Sequence, residues 1–247
     1  MRDDIEVAAR FCGPDGMGNG GYSCGLFAER IGAPAQVTLL RPIPLDRRLA
    51  LAANGGDIEA QHEGAPLATV RRAQLALEAP PATTLDGATA ASARFLGFQI
   101  HPFPRCFVCG PERRPADALR IFPGEVAPGR VAAPWVPDGS LADASGRVRL
   151  RYVAAALDCP GAWALVTTYD PVVMVLGRLT IDERAPVTPD RPYVVEGWAL
   201  ARDGRKHHCG TAIRDIDGTV LALAQATWIA VNNSPRAEAP TTAARGA

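Results

Sequence analysis

An acid set in an apolar run is the first place to look for chemistry. Residues 150–166 read Leu-Arg-Tyr-Val-Ala-Ala-Ala-Leu-Asp-Cys-Pro-Gly-Ala-Trp-Ala-Leu-Val, with one carboxylate, Asp158, in the middle. A carboxylate buried there has to be hydrogen-bonded, neutralised or used. A second candidate is Asn19-Gly20-Gly21-Tyr22, which closes a stretch with glycines at 13, 16, 18, 20 and 21. Asn19 suits the N-cap of a helix that Gly32 would end. Gly20, Gly21 and Gly25 each weaken such a helix by about 1 kcal/mol relative to alanine, a cost that makes sense if something approaches its first turn closely. Gly21-Tyr22-Ser23-Cys24-Gly25 also spells the G-x-S-x-G pattern of a nucleophilic serine, which needs a preceding buried strand and later acid and histidine partners. Cys106-x-x-Cys109 and His207-His208-Cys209 contain zinc-ligand types. Nothing in the sequence brings those two groups together, so we read packed apolar thiols and expect no metal.

The elements that must position these groups follow from the punctuation. Strands are expected over 5–12, 36–41, 47–53, 57–62 and 67–77, with Asn54-Gly55-Gly56 and Gly64-Ala65-Pro66 as turns. Residues 83–104, rich in Ala, Thr and Pro, read as a linker. Weak strands near 119–122 and 129–133 lead to the helix over 150–166. Strands at 172–181, 193–201, 206–214 and 219–231 then form a meander around Asp203-Gly204 and Asp217-Gly218. Residues 232–247 read as a disordered tail. The halves echo each other: Gly64-Ala-Pro-Leu67-Ala68 stands where Gly218-Thr-Val-Leu221-Ala222 stands, and Arg41-Pro42-Ile43-Pro44 is echoed by Arg184-Ala185-Pro186-Val187. We therefore expect a duplication: an N-terminal unit at 1–82 and a C-terminal unit at 105–231.

Basic and acidic residues balance at 26 each in 247 residues. That balance gives no electrostatic reason for nucleic acid or an anionic membrane as partner. Without an apolar run long enough to cross a bilayer or a signal-like start, the expectation is a soluble, cytoplasmic protein whose six cysteines are reduced.

Taken together, the chain resembles the double-hotdog acyl-CoA thioesterases, the TesB-like group. Asn19-Gly20-Gly21-Tyr22 followed by Val37-Thr38-Leu39-Leu40-Arg41-Pro42-Ile43-Pro44-Leu45 is similar to that family's "GGY … FLRPVPLG" pattern. Ala156-Leu157-Asp158 and Asp217-Gly218-Thr-Val-Leu221-Ala222-Leu-Ala-Gln225 are similar to its helix acid and "DGxLxAxxxQ" strand. Cys106-Phe-Val-Cys109-Gly-Pro resembles the start of some single-hotdog thioesterase-like domains. The resemblance implies an α+β tandem hotdog, two antiparallel sheets each wrapped around one long helix, acting on acyl-CoA without a cofactor, and by analogy a homodimer.

The family's catalytic group is an Asp, a Thr or Ser, and a Gln holding the attacking water. By resemblance Asp158 and Gln225 fill two places. The hydroxyl position falls near Leu176 and Gly177, with Thr180 a nearby substitute. In this reading Asp158 is the base, Gln225 positions water, and Asn19, Gly20, Gly21 and Tyr22 bind the thioester carbonyl. The bland reading makes Asp158 the cap of a short helix beginning at Pro160. Three other functions stay open: a non-catalytic acyl-CoA-binding or scaffold protein, motivated by the missing hydroxyl; an enoyl-CoA hydratase, disfavoured because no His lies near Asp158; and a serine hydrolase using Ser23.

Overall fold

Left-handed glycines fix the hairpins. Gly55, Gly56, Gly204 and Gly218 all have positive φ, at 59°, 97°, 55° and 86°, and each sits between strands that pair antiparallel. A computed structural model describes residues 3–166 and 173–231. In chain order the elements are β1 (Asp3–Glu6), α1 (Gly20–Ala28), β2 (Ala35–Leu39), β3 (Arg48–Asn54), β4 (Asp57–His62), β5 (Ala65–Arg72), α2 (Leu85–Ser92), β6 (Gly124–Ala127), β7 (Arg130–Trp135), α3 (Leu150–Ala156), α4 (Cys159–Leu165), β8 (Met174–Glu183), β9 (Tyr193–Asp203), β10 (Lys206–Arg214) and β11 (Val220–Ala230).

The strands form one 11-stranded sheet, ordered β1-β3-β4-β5-β2-β8-β11-β10-β9-β7-β6. The expected pair of separate sheets is therefore corrected. The central strands β2 and β8 pair antiparallel, Ala35 opposite Ile181 and Thr38 opposite Arg178, and fuse the halves. Read outward from that seam, β2-β5-β4-β3 and β8-β11-β10-β9 have the same order. The repeat extends to single hydrogen bonds. Leu40 and Arg41 both donate to Leu67 O, as Arg184 and Ala185 donate to Leu221 O. Gly18 N donates to Ile43 O and Val148 N to Val187 O, each two residues before a helix starts.

Other expectations need adjustment. The strand at 5–12 is only β1, followed by a 3-10 turn at Ala9–Phe11. The strand at 67–77 ends at Arg72, and residues 119–122 form no strand. The linker at 83–104 carries α2, capped by Thr84, which packs Ala88 against Ala132 and Val194. A Cβ on Gly124 would run into the backbone of Ala91, so β6 needs glycine where α2 lies against it. Just before α2 the chain crosses the outer sheet face, with Leu75, Leu77 and Ala79 covering Trp198, Ala212 and Leu223. Val172, the start of one expected strand, and the tail at 232–247 lie outside the described residues.

The expected long helix over 150–166 is two short ones broken at Leu157-Asp158. Pro160 has no N–H to give and would clash with the carbonyl four residues back. The break frees the Leu157 carbonyl, which accepts from the buried Thr211 Oγ1 at 2.8 Å. Among the described residues no helix is long and apolar enough to cross a membrane.

The crossing strap is tied down by a buried pair. Arg214 Nε donates to Glu196 Oε2 at 2.6 Å, and its terminal nitrogens reach Pro80 O and Gly218 O, while Glu196 Oε1 accepts from Thr83 N. Both side chains are almost fully buried. Removing Arg214 leaves the buried Glu196 carboxylate with only Arg130, 3.6 Å away, as a charged partner, so Arg214→Ala is expected to lower unfolding free energy by about 3 kcal/mol in urea denaturation.

Candidate functional site

Two glycines let the halves touch where the chemistry is. A Cβ on Gly21 would overlap Asp158 Cβ and stand 2.6 Å from Ala154 O; one on Gly25 would stand 2.5 Å from Arg151 Cα and 2.8 Å from Leu150 O. These positions, four apart on one face of α1, let α1 and α3 cross at backbone distance. The close approach that the glycine cost implied is thus that of α3 and of Asp158 just beyond its end.

Asn19 caps α1 as expected, its Oδ1 accepting from Tyr22 N at 2.8 Å. Asp158 is 1% exposed, and one of its oxygens, Oδ2, accepts from Gly21 N and from Asn19 Nδ2, both at 2.9 Å. Its other oxygen, Oδ1, has no partner among the described residues. Asp158 does occupy the N-cap position of α4, but its side chain makes no bond to that helix. It serves the first turn of α1 instead, in the other half of the chain. Burial pushes its pKa up to about 7; the Gly21 N–H opposes the rise, the nearby Cys106 adds to it, and the Asn19 amide opposes it.

The first-turn amides of α1 can be accounted for one by one. Gly21 N donates to Asp158, Tyr22 N to Asn19 Oδ1 and Ser23 N to Asn19 O. Gly21 and Tyr22 therefore have no amide to offer a carbonyl, which corrects that part of the expected binding turn. Gly20 keeps the remaining first-turn N–H, which has no intrahelical acceptor by construction. Its Cα faces the cleft so closely that a Cβ would fall 2.8 Å from Leu176 Cβ.

That cleft encloses about 290 Å³ and is lined by both halves: Met17 to Gly20 and Leu39 to Ile43 from the first, Asp158, Cys159, Met174 to Gly177 and Trp228 from the second. Its walls are mostly apolar, with Asp158 at one side, Cys106 beside it and Arg41 exposed among the lining residues. Among the described residues no histidine lines it.

Several expected residues fall elsewhere. Gln225 is exposed and sits directly opposite Thr180 across β8 and β11. Their neighbours Ala224, Ala226, Leu179 and Ile181 point into the core, so strand alternation turns Gln225 and Thr180 to the opposite face. For Thr180 the reason is a bulge: the register of β8 against β11 slips at Gly177, so Leu176 faces the cleft while Thr180 is carried to the other face. Leu176, where the resemblance puts a hydroxyl, presents an apolar side chain. Neither Gln225 nor Thr180 is among the described residues that line the cleft beside Asp158. The ring of Tyr22 stacks on Phe11 at 4.0 Å, away from the cleft. Ser23 is fully buried and its hydroxyl donates to Asn19 O at 2.8 Å, so it is no exposed nucleophile. Met174 and Leu176 line the cleft, whereas Trp163 and Trp198 pack elsewhere. His207-His208-Cys209 lies apart from the Cys106-x-x-Cys109 turn, whose third thiol neighbour is Cys159.

The repeat creates an equivalent position that has been filled. Glu29 Oε1 accepts from Arg151 N at 3.1 Å, much as Asp158 accepts from Gly21 N. There the Arg151 side chain folds over the carboxylate and pairs with it. Sequence reading missed this pair, as it missed Arg41 and Thr211. The Arg41-Pro42-Ile43-Pro44 run and the proline two residues after Asp158 were the available signals.

No protein-family model and no curated protein matches the sequence. Solved structures do match in fold. A tesB protein from Mycobacterium avium subspecies paratuberculosis superposes with a TM-score of 0.60 over 93% of each chain at 15% identity. A candidate thioesterase from Novosphingobium aromaticivorans gives 0.59 over 92% of this chain and 94% of that one, also at 15% identity. A candidate thioesterase II from Thermobifida fusca gives 0.59 over 93% and 92% at 13% identity. This chain thus has the fold of the thioesterase hotdog structures.

Gly21→Ala tests the helix crossing. Alanine should gain about 1 kcal/mol of helix propensity, but forcing a methyl between the two backbones should cost more, about 1–3 kcal/mol or above. A lower thermal midpoint is expected; an unchanged or raised one would mean the helices do not meet at this glycine.

Proposed function

We propose that this protein is a tandem hotdog, with units at 1–82 and 105–231, that hydrolyses an acyl thioester, acyl-CoA, in the cleft between them. One observation carries the reading: a buried carboxylate on the wall of an apolar cleft has one oxygen fixed by two donors and the other without a partner among the described residues. That is how a base is held when it must accept a proton from something that enters.

In this reading the acyl chain lies along Leu39, Ile43, Met174 and Leu176, and the thioester carbonyl meets the Gly20 N–H at the positive end of α1. Asp158 Oδ1 takes a proton from water as the water oxygen attacks the carbonyl carbon. Asn19 and the Gly21 N–H hold Oδ2, which keeps Oδ1 aimed. The tetrahedral intermediate collapses by breaking the C–S bond. The departing thiolate takes the proton from Asp158, giving a free thiol and a carboxylic acid. A carboxyl poised near pH 7 suits both directions of that transfer.

The outward placement of Gln225 and Thr180 favours one alternative, a hotdog that binds acyl-CoA without cleaving it. A thiol-release assay over a range of acyl-CoA chain lengths separates the two. Turnover is expected in the wild type, with kcat lowered about 10²–10⁴-fold in Asp158→Asn. Acyl-CoA binding with no thiol release would leave the binding reading, and full activity in Asp158→Asn would remove the mechanism. Arg41→Glu should raise KM for acyl-CoA by up to about fivefold, with kcat little changed, since an exposed ion pair is worth about 0.2–1 kcal/mol. Acyl thioesters of N-acetylcysteamine, which lack phosphates, should show no such change.

A further inference from the structure

Three cysteines that the proposed chemistry does not use converge behind the cleft. Cys106 and Cys109 sit on one tight turn and Cys159 is the first residue of α4. Their sulfurs all lie within 4.8 Å of one another, with Cys106 and Cys159 3.7 Å apart. Sulfurs at the corners of a tetrahedral site with Zn–S near 2.3 Å stand about 3.8 Å apart, whereas a disulfide closes them to about 2.05 Å.

The turn is built to hold sulfur facing inward. Gly110 N donates to Cys106 O at 2.9 Å, and a Cβ on Gly110 would stand 2.5 Å from Cys106 N and 2.6 Å from Cys106 O. Only glycine closes the turn that tightly. N–H groups then surround the sulfurs. Asn19 Nδ2 lies 3.8 Å from Cys106 Sγ. Trp163 Nε1 lies 3.5 Å from Cys109 Sγ and His101 Nε2 3.4 Å from it. His101 Nδ1 accepts from Phe103 N at 3.0 Å, which leaves the ring proton on Nε2, shared between Cys109 O at 3.2 Å and Cys109 Sγ; His101 is thus a donor, not a ligand. This many donors aimed at sulfur is the surrounding that thiolates need in a buried site.

We propose that Cys106, Cys109 and Cys159 bind one soft divalent cation, zinc foremost, as three thiolates, with a water from the cleft as fourth ligand. Cys106 and Cys159 line the cleft, which provides the path in. On binding, the three thiols release three protons and the centre carries a net single negative charge, stabilised by the N–H groups above. Thiolate ligands select zinc or another soft cation over magnesium or calcium. The cation would tie the 106–110 turn to the residue that follows Asp158.

The test uses the full chain, reduced and stripped with chelator, titrated with Co²⁺ and then Zn²⁺. The expected result is a thiolate-to-cobalt charge-transfer band that saturates at one equivalent, is displaced by Zn²⁺, and accompanies a higher thermal midpoint. Cys106→Ser and Cys159→Ser should each weaken binding at least about tenfold, while Cys24→Ser, a buried thiol outside the group, should keep it. A wild-type protein with three free thiols, no band and no change in midpoint overturns the proposal even if the variants fail to fold. So does a disulfide among the three, seen as the loss of two hydrogens in intact mass. No readout depends on thioester turnover, so this site and the proposed hydrolysis can fail separately.

Discussion

A carboxylate that leaves water needs compensation, and in this fold the compensation comes from another part of the chain. Asp158 is buried at the first turn of α1, where the N-terminal amides and the helix dipole favour negative charge. Everything around it is arranged so that it can arrive there. Glycines at 21 and 25 remove the side chains that would separate the helices. Pro160 breaks the second helix just after the acid, and the Thr211 hydroxyl takes the carbonyl that the break exposes. Asn19 works twice, capping α1 with its oxygen and bonding Asp158 with its nitrogen. One contact therefore joins the two halves and creates a charged group beside an apolar cleft.

The duplication explains why there is one such site instead of two. Hydrogen bonds repeat between the halves at the strand ends and at the helix starts. The position equivalent to Gly21 is occupied by Arg151, whose backbone N–H meets Glu29 while its side chain neutralises that same carboxylate. A glycine leaves a carboxylate with a free oxygen; an arginine closes it into an ion pair. Symmetry of the backbone has been kept, and symmetry of the chemistry lost, through the side chain at a single equivalent position.

Much of this was legible where local rules decide. Asn19 as a cap, the Asp203-Gly204 and Asp217-Gly218 hairpins and the three-strand meander depend on residues adjacent in sequence, and each stands in the structure. The acid in the apolar run was legible as a group requiring partners, though which helix it would serve was not. What failed depends on register and on distance. A one-residue slip at Gly177 carries Thr180 to the outer face, while Gln225 faces outward by the plain alternation of β11; the glycine inside β8 was the one local hint of the slip. The fusion of the halves through β2 and β8 is likewise a pairing between distant strands. Cys159, two residues before Gly161, gave no hint that it would meet the Cys106-x-x-Cys109 turn. A short alanine-rich helix hid inside the linker because its apolar face is made of methyls.

The account stands on the cleft beside Asp158 being where an acyl thioester sits. A crystal structure with a non-hydrolysable thioether analogue of acyl-CoA tests that most directly. The acyl chain should run between Ile43 and Leu176, with the group replacing the carbonyl against the Gly20 N–H and Asp158 Oδ1 facing the scissile position. An analogue bound on the opposite sheet face, beside Thr180 and Gln225, with the cleft empty, would contradict the account.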